Sequence, residues 1–368
     1  MPKIRVLVVD DSAVIRRIVS DVLVEDPEIE VAGVAPNGRI ALQRLAQLNP
    51  DLVTLDIEMP EMDGLEALVE IRKTHPRLPV IMFSTLTTRG GEATLDALAK
   101  GASDYLAKPS NTGSMSTAIE RLRSDLIPKV KALCARTLRS GVRPAVVAPA
   151  APRLRQPLPT SARIDAIAIA VSTGGPNALQ QLLPALPGDL PVPLFIVQHM
   201  PPVFTKLLAD RLCGLSQLSV REATDGAVAR PGTAWIAPGD HHMVVRLEKG
   251  TPVIRLNQDA PENSCRPAAD PLFRSVAAAF GGAVLGVVLT GMGQDGFRGS
   301  QTLVAAGARV IAQDEATSVV WGMPGFVAGA SLADKVLPLG EIAGEIARRA
   351  NAGRNRMALV PRIAGAAG

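Results

Sequence analysis

Short, almost wholly apolar runs alternate with helical apolar patterns through the first 125 residues. The segment KIRVLVV (residues 3–9) has the pattern of a buried parallel strand, and apolar residues recur at helical spacing from Val14 to Leu23. Four more strands and a second helix follow: strands near Glu30–Ala35, at Leu52–Leu55, ending at Ser84 and ending at Lys108, with a helix near Gly38–Gln47. This alternation predicts a doubly wound parallel α/β sheet of the flavodoxin-like kind.

The same design returns after residue 164. Three apolar runs end at polar residues: one strand ends at Ser172, one ends at His199, and one, Val284–Leu289, leads into a glycine-rich turn that carries Asp295. Helical patterns separate the strands, at Leu179–Leu186, Phe204–Leu212 and Phe273–Phe280. A second doubly wound parallel sheet, Rossmann-like, is therefore predicted.

Composition agrees with two globular domains. The chain has 368 residues, of which 47% are hydrophobic, enough for a sizeable core. Three widely spaced cysteines without a CxxC pair indicate reduced thiols and a cytoplasmic location. The N-terminus lacks a signal-peptide pattern, and the longest uncharged stretches contain several prolines or glycines, so we expect no membrane insertion.

The charge divides the chain further. Residues 126–163 hold eight Lys or Arg, six prolines and no acidic residue, whereas residues 1–125 are net acidic. We therefore predict an N-terminal domain at 1–125, a basic Pro-rich linker at 126–163, a larger domain at 164–350, and a disordered tail at 351–368. The linker contains no aromatic residue, which argues against nucleic-acid binding and favours a solvated linker or one that docks on acidic surfaces.

In the N-terminal domain, polar side chains end the predicted strands. They are Asp10, Asp11, Asp56, Ser84 and Lys108. Because ligand sites of such sheets lie beyond the carboxyl ends of the strands, we expect them to converge. Three carboxylates need cations beside them, and an all-oxygen site favours Mg²⁺. Taken alone, Asp11 and the following Ser12 could also be helix N-cap residues.

The motifs VVDDS, LDIEMPEMDG, FST and YLAKP resemble the receiver domain of two-component response regulators. The resemblance implies that Asp56 is the phosphoacceptor and that Ser84 and Tyr105 are the switch pair. It places Mg²⁺ on Asp11, Asp56 and the Glu58 backbone carbonyl, with Asp10 in support and Lys108 beside them. It also implies a cis bond between Lys108 and Pro109, and a histidine kinase as the phosphodonor.

In the C-terminal domain, Ser172, His199 and Asp295 follow strands and should meet at one sheet edge. A serine, a histidine and a carboxylate can form a nucleophilic triad, in which the imidazole takes the serine proton and the carboxylate orients the ring. The stretch AVSTG differs from the GxSxG nucleophile turn by Ala170 in place of the first glycine.

Other interpretations of these residues stay open at this point. His241 or His242, expected in a turn before a strand, could be the base instead. His199 could be a structural core histidine, and STGG could cradle a phosphate at a helix N-terminus.

The motifs STGGP, QHMP, APGDHH, LTGMGQDGFRG and AQDEATSVVWGMP resemble the protein-glutamate methylesterase domain of bacterial chemotaxis, over about 164–345. The resemblance implies a triad of Ser172, His199 and Asp295, with the backbone N–H of Met292 as oxyanion donor. It implies demethylation of glutamate γ-methyl esters and deamidation of glutamines on chemoreceptors, without a cofactor for the hydrolysis. In this family the unphosphorylated receiver covers the esterase site. Two rival functions remain: an output domain that only binds a partner, and an esterase for a small metabolite.

Overall fold

The computed structural model describes residues 3–108, 115–139, 163–352 and 354. The first two of these segments form five strands and five helices in alternation. In chain order they are β1 (Ile4–Val9), α1 (Ala13–Val24), β2 (Ile29–Ala35), α2 (Gly38–Leu48), β3 (Leu52–Asp56), α3 (Gly64–Thr74), β4 (Val80–Ser84), α4 (Thr88–Ala99), β5 (Asp104–Ala107) and α5 (Met115–Arg139).

The five strands form one parallel sheet in the order β2-β1-β3-β4-β5, which confirms the predicted flavodoxin-like domain. The order reverses at β1, so β1 and β3 are neighbours and their carboxyl ends define a crevice. The turns into the helices are capped as their sequences predict. Ser12 accepts from the N–H of Ile15 at the start of α1, and Asp63 and Glu66 form a capping box at the start of α3.

Helix α5 crosses the predicted domain boundary at residues 125 and 126. It continues to Arg139 and buries Leu126 and Val130 in the N-terminal domain. The first part of the predicted linker is therefore helical. The rest of that segment from residue 140 to 162, and the predicted tail beyond residue 354, lie outside the described residues.

The third segment forms a larger domain that begins with β6. Its elements are β6 (Ala166–Val171), α6 (Gly175–Leu182), β7 (Leu194–Gln198), α7 (Phe204–Leu215), β8 (Ser219–Glu222), β9 (Thr233–Ile236), β10 (His242–Glu248), β11 (Thr251–Asn257), α8 (Ala269–Phe280), β12 (Val284–Val288), α9 (Phe297–Ala305), β13 (Arg309–Gln313), α10 (Met323–Gly329), β14 (Lys335–Leu337) and α11 (Leu339–Asn351). Helix α6 starts and ends earlier than the predicted Leu179–Leu186, because Pro176 fits a first turn and Pro184 disfavours helix at the residue before it.

Seven parallel strands form the second sheet in the order β14-β13-β12-β6-β7-β9-β8, which confirms the second predicted α/β domain. Strands β6, β7 and β12 are central, and all their residues are buried. An antiparallel hairpin, β10–β11, packs beside α8 outside this sheet. None of the helices in the described parts of the chain combines the length and the apolar character needed to cross a bilayer.

An ion network around the buried Glu345 carboxylate fastens α11 to the sheet. The Glu345 carboxylate lies 2.7 Å from Arg348, 2.6 Å from Arg349 and 3.0 Å from Lys335. The hydrogen bond with Arg348, with smaller contributions from the other two cations, lowers the pKa of Glu345 to about 2. A folded-state pKa below the ordinary value means that this carboxylate stabilises the fold above about pH 4.5, and that the stabilisation is lost as the pH falls towards 2.

We expect Glu345→Gln to lower the free energy of unfolding by up to about 3 kcal/mol at neutral pH, since the pKa difference sets the upper bound. Urea unfolding from pH 7 to pH 3 should show this difference shrinking, because below about pH 4.5 Glu345 becomes protonated in the unfolded chain while it stays ionised in the folded one. Glu341→Gln, at an exposed position of the same helix, is the matched control and should change stability little. A Glu345→Gln effect that does not depend on pH would contradict the assignment.

Candidate active site and receiver site

The acidic pocket of the first domain forms where β1, β3 and β5 end. Asp10 and Asp56 are buried, and the Lys108 ammonium lies 3.0 Å from the first carboxylate and 2.7 Å from the second. Burial raises the pKa of Asp56 to about 6 and also raises the pKa of Asp10, although Lys108 opposes both shifts. The pocket therefore holds two desolvated carboxylates against one lysine and favours a further cation.

Three carboxylates of this pocket suit a hard divalent cation. Asp10, Asp11 and Asp56 each offer an oxygen, and these oxygens lie within 4.8 Å of one another. A donor set made only of carboxylate oxygens is the kind that Mg²⁺ prefers. The Glu58 backbone acts to lower the pKa of Asp56 against the larger effect of burial, so the Glu58 peptide lies close to the same pocket.

The two predicted switch residues are placed differently. Ser84 is buried and its hydroxyl donates to the carbonyl of Gly90 at 2.9 Å. The Tyr105 ring stacks on Phe204 of the second domain, with centroids 5.2 Å apart and an interplanar angle of 10°. The bond from Lys108 to Pro109, predicted to be cis, lies outside the described residues.

In the second domain, adjacent strands bring the three predicted site residues to one edge. Strand β6 pairs with β7 on one side and β12 on the other. Ser172 follows β6, His199 follows β7, and the turn after β12 leads to Asp295. The buried Gln198 amide donates to the carbonyls of Ser172 and His199, at 3.1 and 3.2 Å, and so ties the two strand ends together.

Asp295 holds one nitrogen of the His199 ring. Its Oδ2 lies 2.7 Å from Nε2; the Asp295 side chain is buried, and the His199 side chain is 12% exposed. Because the backbone N–H groups of Ala269, Asp270 and Gly296 also donate to it, the Asp295 carboxylate lies at the N-terminus of α8. Burial acts to raise the pKa of Asp295, but His199 and these N–H donors outweigh it and hold the pKa below its usual value.

A cysteine holds the other ring nitrogen. Cys265 Sγ lies 3.5 Å from His199 Nδ1, and none of the hydrogen bonds among the described residues joins Ser172 to His199. Burial acts to lower the pKa of His199, but the hydrogen bonds with Asp295 and Cys265 outweigh it and raise the pKa to about 10. The ring therefore lies between a carboxylate and a cysteine, and both contacts act to favour its protonated form.

The turn between Thr290 and Asp295 passes close to Ser172. A Cβ on Gly291 would lie 2.8 Å from the Cβ of Ser172, whereas a Cβ on Gly293 would meet nothing within 4 Å. Gly293 also has φ +83°, a conformation that favours glycine. Within the described parts of the chain, no hydrogen bond uses the N–H of Met292. Met292 directly follows Gly291 in the turn that approaches Ser172.

Several side chains that support this cluster were not predicted. The Asn263 amide donates to Asp270 and Asp295 at 3.0 Å each, and Asp270 accepts from the N–H of Gly299. Asn263, Cys265 and Asp270 belong to a loop and a helix start, where no periodic pattern marks them. The available signal was the acidic residue in the first turn of α8.

The alternative histidines have other surroundings. His242 is the first residue of β10 rather than part of a turn, and it is buried. Its Nδ1 accepts from the N–H of Ala268 and its Nε2 faces the carbonyl of Ala260 at 3.2 Å, so both nitrogens have backbone partners. The His241 Nδ1 lies 3.3 Å from the Gly239 carbonyl. Neither histidine reaches Asp295 by any of the described hydrogen bonds.

The two domains pack through α4 and α7. Besides the Tyr105–Phe204 stack, Arg211 on α7 lies 2.6 Å from the Asp96 carboxylate on α4. Gly91 on α4 faces Leu207 so closely that a Cβ would lie 2.6 Å from Leu207 Cδ1. We call this contact the α4–α7 interface.

The receiver's apolar cluster reaches the turn beside Ser172. Val320, 7% exposed, belongs to the same cluster as Leu106 and Leu122 of the first domain, and Met292 packs against that cluster. The N–H of Gly291 donates to the Val320 carbonyl at 3.0 Å. Apolar packing therefore extends from the first domain to the sheet edge that carries the candidate site.

The fold and the two clusters define the class of this protein: a response-regulator receiver joined to an α/β output domain. Family models agree, since "Response regulator receiver domain" matches residues 6–120 and "CheB methylesterase" matches residues 167–346. The chain is 53% identical to a protein-glutamate methylesterase/protein-glutamine glutaminase of Trichodesmium erythraeum, over 95% of this chain and 99% of that one. It is 55% identical to a protein of the same name from Nocardioides, over 98% and 99%.

A solved structure is also similar. The crystal structure of the Thermotoga maritima CheB methylesterase catalytic domain is 40% identical, covers 50% of this chain and 98% of its own, and gives a TM-score of 0.50. The chain belongs to the family of chemotaxis protein-glutamate methylesterases/protein-glutamine glutaminases with a receiver domain. The resemblance stated from the motifs is confirmed.

Proposed function

We propose that the C-terminal domain demethylates glutamate γ-methyl esters and deamidates glutamines on chemoreceptors, with Ser172 as nucleophile. One observation carries this proposal: His199 pairs with the buried Asp295, which accepts hydrogen bonds from the N-terminus of α8. Ser172 follows the neighbouring strand at the same sheet edge. Small residues around Ser172 leave room for a protein substrate. This proposal extends to the chain the activity that its relatives' names give.

Ser172 Oγ attacks the ester carbonyl carbon while His199 accepts the hydroxyl proton, and Asp295 stabilises the imidazolium that forms. The oxygen of the tetrahedral intermediate receives a hydrogen bond from the Met292 N–H. One such donor is worth about 10²–10³ in rate. The bond to methoxide then breaks and methanol leaves with the proton from His199. Water then attacks the acyl-enzyme carbonyl while His199 takes a proton from it, and His199 returns that proton to Ser172 Oγ as the glutamate product leaves. With glutamine as substrate, ammonia leaves instead of methanol.

The resting geometry requires one local adjustment before this chemistry. Ser172 must replace Cys265 at Nδ1 of His199, because Asp295 occupies Nε2. Catalytic hydrogen bonds are often long or unmade without substrate and tighten in the bound complex.

In the receiver, Asp56 is the proposed phosphoacceptor and a histidine kinase the phosphodonor. Asp11, Asp56 and the Glu58 carbonyl would hold Mg²⁺, with Asp10 in support, and the ion would neutralise charge that develops during phosphoryl transfer. Lys108 offsets the same charge from the other side, 2.7 Å from Asp56. Ser84 would bond the phosphoryl group after leaving the Gly90 carbonyl.

Control would pass through the α4–α7 interface. Tyr105 stacks on Phe204, so a movement of Tyr105 that accompanies phosphorylation would disturb the contact between the domains. Phosphorylation shifts the equilibrium between the docked and the released receiver only by its different effects on these two states. A difference of about 1.4 kcal/mol changes that equilibrium tenfold. The unphosphorylated receiver then restrains the esterase, and the phosphorylated receiver releases it.

Asp56→Asn should leave a low basal activity that a small phosphodonor cannot raise, because the amide has no carboxylate to phosphorylate. The measurement is methanol release with and without an acyl phosphate and Mg²⁺. Asp63→Asn is the control, since asparagine also caps a helix and the residue lies outside the pocket. Stimulation of Asp56→Asn by the phosphodonor would refute the mechanism.

The proposal as a whole is tested by methanol release from methylated chemoreceptor membranes, with and without phosphodonor. Release that rises with phosphodonor supports both domains' roles. No release under either condition would favour an output domain that only binds a partner. Fast hydrolysis of small esters without preference for receptors would favour a metabolite esterase.

A further inference from the structure

His199 has two ring nitrogens and, in the resting structure, both are in use. Asp295 Oδ2 lies 2.7 Å from Nε2, and Cys265 Sγ lies 3.5 Å from Nδ1. Four N–H donors, from Ala269, Asp270, Gly296 and the Asn263 side chain, fix the Asp295 carboxylate. Because these four donors fix Asp295 against Nε2, Nδ1 is the nitrogen that remains for Ser172.

Cys265 is itself held in place. Glu262 and Cys265 exchange backbone hydrogen bonds at 2.9 and 3.1 Å, which close a tight turn. The neighbouring Asn263 and Ser264 have φ of 51° and 62°, so the turn has few alternative conformations. Asn263 then links this turn to the Asp295 carboxylate at 3.0 Å. The turn therefore places the thiol against the imidazole as part of the same hydrogen-bonded unit.

We propose that Cys265 is a positioning residue that holds Nδ1 of His199 in the resting enzyme, and that catalysis begins when Ser172 displaces the thiol from Nδ1. This inference rests on the proposed function, because it assumes that His199 is the base. A serine hydrolase needs only the carboxylate, the imidazole and the hydroxyl, so a thiol at the second nitrogen competes directly with the nucleophile.

The charge state of the ring supports the same conclusion. Burial acts to lower the pKa of His199, whereas the contacts with Asp295 and Cys265 raise it. A general base must be neutral to accept a proton, so both contacts oppose the form of the ring that can take the Ser172 proton, and loss of either contact should lower the pKa of His199. Among the described residues, the titratable groups that act on the ring are Asp295 at Nε2 and Cys265 at Nδ1, and both Asp270 and Arg274 interact electrostatically with Asp295.

The test is the pH profile of kcat/KM with a small ester, p-nitrophenyl acetate, on the full-length chain. In Cys265→Ala we expect the acidic limb to move to lower pH, because the ring loses one of the partners that favour its protonated form. Below the wild-type limb the variant should be about threefold to tenfold more active, which corresponds to a limb displaced by half to one pH unit. Cys265→Val, which fills the volume of the thiol without a hydrogen bond, should shift the limb in the same direction.

Cys213→Ala is the matched control, since Cys213 is an exposed thiol on α7. Its profile should coincide with that of the wild type. Coincidence of the Cys265→Ala and Cys265→Val profiles with the wild type would overturn the inference and leave Cys265 as a packing residue.

A titration of His199 by NMR separates this inference from the proposed function. In the Ser172→Ala background, where no turnover is needed, adding Cys265→Ala should lower the His199 titration midpoint. An unchanged midpoint overturns the positioning role even if the hydrolase assignment holds. Full esterase activity in Ser172→Ala would instead overturn the proposed function, whatever the titration shows.

Discussion

Replacing Ser172 with alanine should reduce methanol release from methylated receptors by at least about 10³-fold, because no acyl-enzyme can form. In serine hydrolases the nucleophile and its base act as one unit, and loss of either removes most of the rate enhancement. Hydrogen bonds that hold the turn use the backbone of Ser172, not its hydroxyl, so the fold should persist. The measurement is release from receptor membranes, with circular dichroism to verify folding.

Ser216→Ala is the matched control for this experiment. Ser216 follows α7, and its hydroxyl has no hydrogen-bond partner among the described residues, so its removal should leave activity unchanged. The double variant Ser172→Ala with His199→Asn should be no less active than Ser172→Ala alone, since residues that act as a unit are not additive. Substantial release by Ser172→Ala would exclude a serine nucleophile at this position.

Residues at the ends of buried parallel strands were predictable from the sequence. The apolar runs before Asp10, Asp56, Ser172 and His199 are strands in the structure, and each polar residue ends or directly follows its strand. The rule that strand carboxyl ends share one edge is geometric and needs no knowledge of the side chains. This is why residues more than 90 positions apart, such as His199 and Asp295, could be predicted to lie close together.

Residues in irregular segments were not predictable in this way. Cys265 and Asn263 reach the site through a tight turn in the loop between β11 and α8, and no period marks such a turn. The length of α5 was missed because a proline at 128 and a basic composition resemble a linker, whereas Leu126 and Val130 are fully buried. Burial against another element outweighed the local signal in that case.

The α4–α7 interface depends on residues that no hydrophobic periodicity of the sequence marks. Gly91 is a glycine within a helix, and only the position of Leu207 on α7 explains why a side chain would not fit there. Tyr105 was predicted as a switch residue on resemblance, but its stack on Phe204 requires the relative placement of two sheets. Such complementarity is a tertiary property and becomes visible only in the folded chain.

Gly91→Leu should raise methanol release in the absence of phosphodonor at least about fivefold, and should reduce further stimulation by phosphodonor. A leucine cannot fit against Leu207 and Phe204 without separating α4 from α7, and overpacking of this kind typically costs 1–3 kcal/mol. Within α4 itself the change is favourable, since glycine in a helix interior is less stable than other residues by roughly 0.5–1 kcal/mol. The variant therefore weakens the α4–α7 interface without weakening the receiver.

Gly214→Leu is the matched control, because Gly214 lies in α7 and a side chain added there meets nothing within 4 Å. It should leave basal release and stimulation as in the wild type. Limited proteolysis and small-angle scattering of Gly91→Leu should show separated domains if the interface opens. Separated domains without a rise in basal release would mean that the receiver does not restrain Ser172. An unchanged scattering profile together with unchanged release would mean that Leu207 moves aside and that the interface tolerates the substitution.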